Sequence, residues 1–281
     1  MTWLVASLIS AAFMGLVSIS DKVVIYRYAK TPLTLPLISG MCQVLFGIAC
    51  VFVAGIPSQS SLTANASAIG SGMFLGLAVM ILMRVMYTKE VSRAIPVTQC
   101  APIFSALLAL PILGESISLI QWSGIMAAVI GSVFISLKID PDISGIFLDT
   151  SFYWLMLSAF FFGAAYVVGK VALDELPILY THGLRTFTLG STFLIFTSRS
   201  IAWNDTKSLI KRRSPAFLFV GVNEFITAQF AIIILLWALS LGPASLVAAA
   251  TSSRAIFTLL FTPVSYTHLR AHETDSSLVC R

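Results

Sequence analysis

The chain predicts an all-α integral membrane fold, with nine observed transmembrane helices of an expected ten arranged as two inverted five-helix repeats. Composition is the first ground. Of 281 residues, 58% are hydrophobic and 10% charged, where soluble domains carry about 25% charged residues; mean hydropathy is +0.94. The second is spacing, because the apolar residues gather in nine runs of roughly the 20 residues a helix needs to cross the hydrocarbon core. The third is internal similarity between the halves.

The runs are Thr2–Ile25, Leu33–Ile56, Ala66–Tyr87, Ala94–Leu113, Leu119–Leu137, Phe152–Leu173, Ile178–Ser198, Pro215–Leu241 and Ala244–Pro263, bounded by charge, Pro or Asn. The first lacks the basic leader and early small-residue cleavage site of a signal peptide and reads as a span. Trp3, Trp122, Trp154 and Trp203 fall near run ends, as interfacial aromatics should. Gly72 and Gly76 form a GxxxG pattern that predicts close helix packing. Pro96, Pro102 and Pro111 are expected to bend the fourth span. The longest connections, Lys138–Thr150 and Arg199–Ser214, leave little room for a soluble domain.

The repeat can be checked by residue. The stretch Ser10–Lys22 overlays Ser158–Lys170 with Ser, Ala, Phe, Gly and Lys in register, and Ser92–Phe104 overlays Ser245–Phe257 with Ser, Thr, Ile and Phe shared. An odd number of spans per repeat inverts the second copy in the membrane, and a substrate site then belongs near the midplane between the halves. The domains predicted are 1–141, a first five-helix repeat, and 151–263, a second, truncated one. From Val264 the character turns polar, where the repeat calls for more helix. Residues 264–281 read as a non-native tail, the translation of a sequencing-library adapter, which leaves His268 and His272 without meaning and the tenth span missing.

The segment Val91–Glu115, with its Pro102 to Gly114-Glu115 spacing, followed by Gln121-Trp-Ser-Gly124, resembles the fourth and fifth spans of EamA-type carriers of the drug/metabolite transporter superfamily. Gly242-Pro-Ala-Ser245 and Tyr180–Arg185 are similar to second-half elements of that family. The resemblance covers Thr2 to about Pro263. It implies ten helices in two halves that export or exchange small metabolites across a bacterial inner membrane.

Charged groups inside spans cost about 2.5–3.5 kcal/mol each at a helix centre and so point to function. Glu224 lies roughly 12–14 Å from one face, and Arg254 about 15 Å from the other, on adjacent antiparallel helices. They are the leading substrate-binding candidates, Arg254 for an anionic group and Glu224 for an ammonium or a coupling proton. Asn223, Gln229, Gln43 and Gln99 are further candidates, each equally able to bridge helices. Asp21 with Lys22 reads as an interfacial pair, Arg84 as a snorkelling residue and His182 as a boundary residue.

Other classes lack support. The net charge of +5 comes from basic residues in short loops, so no nucleic-acid face is expected. The four cysteines form neither a disulfide framework nor a CxxC, and HExxH, GxSxG and GxxxxGK[ST] motifs are missing; neither enzyme chemistry nor a cofactor or metal is expected. A non-transporting membrane assembly protein and a channel-like facilitator are the alternatives to a carrier. Counted on alternate sides of the membrane, Lys and Arg number twelve on one face and two, Lys170 and Arg185, on the other. The positive-inside rule therefore puts the amino terminus outside, whereas the family resemblance implies a cytoplasmic one.

Overall fold

The structure, a computed structural model, describes residues 2–88, 97–136 and 150–261. Pro96, Lys89, Arg93, Lys138, the tail 264–281 and its two histidines lie outside the described residues. Ten helices follow in order: α1 Thr2–Arg27, α2 Thr34–Ala54, α3 Leu62–Thr88, α4 Ala101–Leu113, α5 Leu119–Ser136, α6 Thr150–Leu173, α7 Ile178–Thr197 and α8 Ser200–Lys211, then α9 Ala216–Leu241 and α10 Ala244–Phe261. Among the described residues no strand occurs. Six helices, α1, α2, α3, α6, α9 and α10, are long and apolar enough to cross a bilayer; α4 and the apolar part of α5 are shorter. The helix α7 is long enough at 20 residues, but it buries Thr181, His182, Arg185 and Thr186, and these lower its hydropathy.

The surface is that of a protein dissolved in lipid. Phe52 is 87% exposed and Ile195 77%, with Leu45, Val53 and Leu218 similarly outward, while Ser10, Gln43, Arg185, Glu224 and Gln229 are buried. Apolar side chains facing out and polar ones facing in reverse the arrangement of a water-soluble core.

Two local departures from expectation have simple causes. Pro102 falls in the first turn of α4, where its missing N–H bonds nothing, so it starts the helix instead of bending it. The connection after α7 holds an amphipathic helix, α8, that buries Ala202 and Leu209 and exposes Lys207 and Lys211. Asp205 fastens α8 to the start of α2 by accepting from the Lys30 backbone N–H at 2.9 Å and the Thr34 hydroxyl at 2.6 Å.

Packing runs mainly between the first five helices and the later ones: α2 lies on α7, α3 on α6 and α7, α1 on α9, and α4 on α6 and α10. Ser10 Oγ donates to Ala231 O at 2.8 Å, joining α1 to α9, and Ser158 Oγ donates to Ala78 O at 2.7 Å, joining α6 to α3. A Cβ on Gly15 would meet Phe257 and Thr258, and one on Gly163 would meet Phe104 and Ser105. Ala78 and Ala231 are separated in sequence by the same interval as Phe104 and Phe257, and as Ser105 and Thr258. The GxxxG pattern packs as expected: Gly72 lies on the Arg185 backbone and Gly76 on Thr192.

Glu115 has a structural job at the α9–α10 corner. One oxygen accepts from the Ala244 N–H at 2.6 Å, and the other from the Ser245 N–H at 3.3 Å and hydroxyl at 2.6 Å. A carboxylate there satisfies free N–H groups and opposes the positive end of the helix. Across the corner, Lys170 Nζ donates to Leu239 O at 2.9 Å and Gly242 O at 2.5 Å, the negative end of α9. Glu115→Ala is expected to destabilise the protein by about 2 kcal/mol, read as a lowered midpoint of thermal unfolding in detergent; an unchanged midpoint would remove the capping role.

Candidate functional site

A cavity of about 140 Å³ lies at the centre of the bundle, lined by residues of α1, α2, α3, α4, α6, α7, α9 and α10. Among the described residues four charged ones face it: Asp21, Arg185, Glu224 and Arg254.

Glu224 is presented by a turn of π-helix, Asn223–Thr227, inside α9. Such a turn carries one more residue than an α-turn and frees a backbone carbonyl, and these turns concentrate at functional sites. Here Gln229 Nε2 donates to the Glu224 carbonyl at 2.7 Å. The Glu224 carboxylate, 5% exposed, accepts from Ser39 Oγ at 2.7 Å on one oxygen and from Gln43 Nε2 on the other. Gln43 is oriented in turn because its Oε1 accepts from Gln229 Nε2 at 2.9 Å. Next to Glu224, Asn223 Nδ2 donates to Asp21 Oδ1 at 2.9 Å, tying α9 to α1.

Arg254 directs Nε and Nη2 to Ser18 Oγ at 2.9 and 2.6 Å, instead of pairing with Glu224. Its electrostatic partner is Asp21, one turn beyond Ser18 on α1. Tyr166 and Thr251 share a hydroxyl–hydroxyl hydrogen bond at 2.9 Å on the same side of the cavity. Arg185 is different. It is 2% exposed, and its Nε and Nη1 have no hydrogen-bond partner.

Of the residues singled out from sequence, Glu224, Arg254, Gln43 and Gln99 line the cavity. Asn223 and Gln229 are buried behind them and hold Asp21, Gln43 and the π turn in position. Three readings need correction. Asp21 is no exposed interfacial residue: it is buried and lines the cavity, because Asn223 of α9 packs over it and donates to its carboxylate. Arg185, counted with Lys170 on the less basic face, is buried where α2 and α3 cover its end of α7, so it leaves that count. His182 is fully buried, with Nδ1 3.3 Å from Thr186 Oγ1 and its ring edge-on to Phe46. A signal for these residues existed in the sequence. Ser7, Ser10, Ser18 and Asp21 recur at helical spacing on α1, as Thr181, His182, Arg185 and Thr186 do on α7.

The pattern that defines the EamA-like transporter family matches residues 1–137 and again residues 150–267. No curated protein matches the chain. Among solved structures 16 chains match. One, a crystal structure described only as that of a protein, aligns with a TM-score of 0.62 at 14% identity, covering 94% of this chain and 87% of that one. At that identity the likeness concerns the fold.

Proposed function

This chain belongs to the EamA-like transporter family, and we propose that it is a secondary transporter, an exporter or exchanger, of a small polar metabolite such as an amino acid. It is an integral membrane protein of a transport family, not of an enzyme family. The observation that carries the reading is the central cavity: four charged residues face a space of about 140 Å³ inside a bundle whose outside is apolar. A cavity of about 150 Å³ holds a benzene-sized molecule, so the site suits a metabolite of a few heavy atoms and is too small for a nucleotide.

Alternating access is the mechanism we propose, with residues 1–141 and 151–263 as inverted halves. Counting α4, α5 and α7 as spans beside the six long helices gives nine. The double family match supports two copies. So does the pairing of helices: exchanging each span for its counterpart in the other half turns the α1–α9 contact into α6–α3 and the α4–α6 contact into α10–α1. Ser10 and Ser158, aligned in the overlay, make equivalent bonds under that exchange, and so do the contacts of Gly15 and Gly163. Glu224, Arg254, Gln43 and Gln99 are the proposed substrate-facing groups, with Asn223 and Gln229 as supports and Glu224 as the candidate site for a coupling proton. The membrane is proposed to be the bacterial inner membrane.

Reconstitution into proteoliposomes tests the reading. Saturable counterflow of a labelled amino acid that falls at least about tenfold in Arg254→Gln is the expected result. Flux without counterflow would make the protein a channel-like facilitator. Absence of flux for every metabolite tried, with a partner protein co-purifying, would make it an assembly protein.

A further inference from the structure

The cavity charges do not cancel pair by pair. Asp21 lies near enough to be repelled by Glu224 as well as attracted by Arg254, and Asp21 and Arg254 hold neutral hydrogen-bond partners, Asn223 and Ser18. That leaves Glu224, whose carboxylate is held by the neutral donors Ser39 and Gln43. It also leaves Arg185, buried in the same cavity wall with two guanidinium nitrogens unbonded. A buried donor without a partner costs about 1–3 kcal/mol, more when charged. A ligand that supplies the missing acceptor recovers that energy on binding.

The fold has made a seat for this guanidinium. Gly72 lets α3 approach until a Cβ would stand 2.3 Å from the Arg185 carbonyl oxygen, and Gly169 on α6 leaves room in which a Cβ would lie 3.6 Å from the guanidinium carbon. Ser71, the other neighbour of Gly169, turns its hydroxyl away to Ala165 O at 2.7 Å. In the overlay of the two halves Gly169 occupies the place of Asp21, and the interval that relates Ala78 on α3 to Ala231 on α9 puts Ser71 in the place of Glu224. The acidic pole thus has a two-fold counterpart in which both carboxylates are replaced by small residues, and a guanidinium fills the space. Under the inverted repeat proposed above, a two-fold axis in the membrane plane carries one pole to the opposite depth, so the negative and positive poles face each other along the membrane normal.

We propose that Arg185 is the anion anchor of the cavity, binding the carboxylate of a small zwitterion whose ammonium group faces Glu224. This rests on the reading of the cavity as the substrate site and deepens it: the ligand is dipolar, with its anionic end fixed by α7 and its cationic end by α1 and α9. A pair of N–H groups on a guanidinium matches a carboxylate in a two-pronged geometry that a single ammonium does not reproduce.

The test uses the full chain in detergent and four zwitterions, glycine, alanine, serine and threonine, each beside its carboxamide, with binding read by calorimetry. At least one acid is expected to bind wild type about tenfold or more tightly than its carboxamide. That preference is expected to fall to about twofold or less in Arg185→Gln and to be kept in part by Arg185→Lys. An Arg185→Gln protein that keeps the tenfold preference would overturn the proposal. So would wild type that binds no acid of the set or does not distinguish acid from amide, or chloride that competes as well as the acid does. Where Arg185→Gln does not fold, Arg254→Gln decides the matter: it is expected to keep the acid preference, and loss of the preference there would make Arg254 the anchor and overturn the proposal. Flux in proteoliposomes separates the two readings: transport of a substrate without acid preference removes the anchor and leaves the carrier, whereas acid-selective binding without flux keeps the anchor and removes the carrier.

Discussion

Glu224→Gln is expected to fold and insert, to lose about ten- to a hundredfold of its flux, and to show a flattened dependence of the remaining flux on pH. A charged hydrogen bond between carboxylate and ligand ammonium is worth about 1.5–3 kcal/mol, and each 1.4 kcal/mol is about tenfold. The substitution keeps size and shape but changes the hydrogen-bond roles. The carboxylate offers acceptors to both Ser39 Oγ and Gln43 Nε2; an amide offers one acceptor and one donor. The serine hydroxyl can rotate to accept. The new amide then donates to Ser39 and accepts from Gln43 Nε2, so Gln43 keeps its bond from Gln229. Two charge-assisted bonds become neutral ones, and a modest loss of stability, about 1 kcal/mol, accompanies the loss of charge. Ser39→Ala separates the two effects, since it removes one neutral donor, leaves the charge, and is expected to reduce flux by about fivefold or less. The measurement is counterflow in proteoliposomes over about pH 5.5 to 8.5. Glu224→Gln flux of wild-type size and profile would reduce this carboxylate to a structural group.

Much of the fold was legible because lipid imposes simple rules. Length and apolarity located six long helices to within a few residues, while α4 begins at Ala101 instead of Ala94, and the intramembrane Glu224 and Arg254, judged by depth alone, both line one cavity. What sequence distance from a span end could not show was how far a helix end is covered by its neighbours. Arg185 is only the eighth residue of α7, a position that suggests an interface, yet α2 and α3 pack over that end through Gly47 and Gly72. Asp21 was misjudged for the related reason that α9 covers its end of α1, with Asn223 donating to its carboxylate. The π turn at Asn223–Thr227 left no signature in its own residues, because its Glu224 carbonyl is met by the side chain of Gln229, which also donates to Gln43 on α2. The amphipathic α8 was hidden by a hydropathy near zero, although its apolar residues recur at helical spacing.

Gly47→Ala is expected to be among the most damaging single-methyl changes in the chain, destabilising it by about 1–3 kcal/mol, although it touches no cavity residue. The helices α2 and α7 meet along glycines: a Cβ on Gly47 would stand 2.4 Å from Phe187 N and 2.8 Å from Gly183 O, and one on Gly190 would stand 2.7 Å from Gly40 O and Val44 N. Gly40 and Gly47 on α2, like Gly183 and Gly190 on α7, are seven residues apart, which is two helical turns and so one face. In lipid the contact surface has little hydrophobic gain to offset a poor fit, and close backbone approach at small residues is what holds such helices together. The clashing atoms at Gly47 are backbone atoms, so no side chain can rotate to relieve the overlap; the helices must separate, and the α7 end that carries Arg185 moves with them. Gly124→Ala on α5 is the matched control, because its Cβ would meet nothing within 4 Å. In a helix that change is expected to stabilise by about 0.5–1 kcal/mol. Thermal unfolding in the same detergent should therefore move in opposite directions for the two alanines, and a Gly47→Ala midpoint equal to wild type would mean that α2 and α7 do not pack as closely as their glycines require.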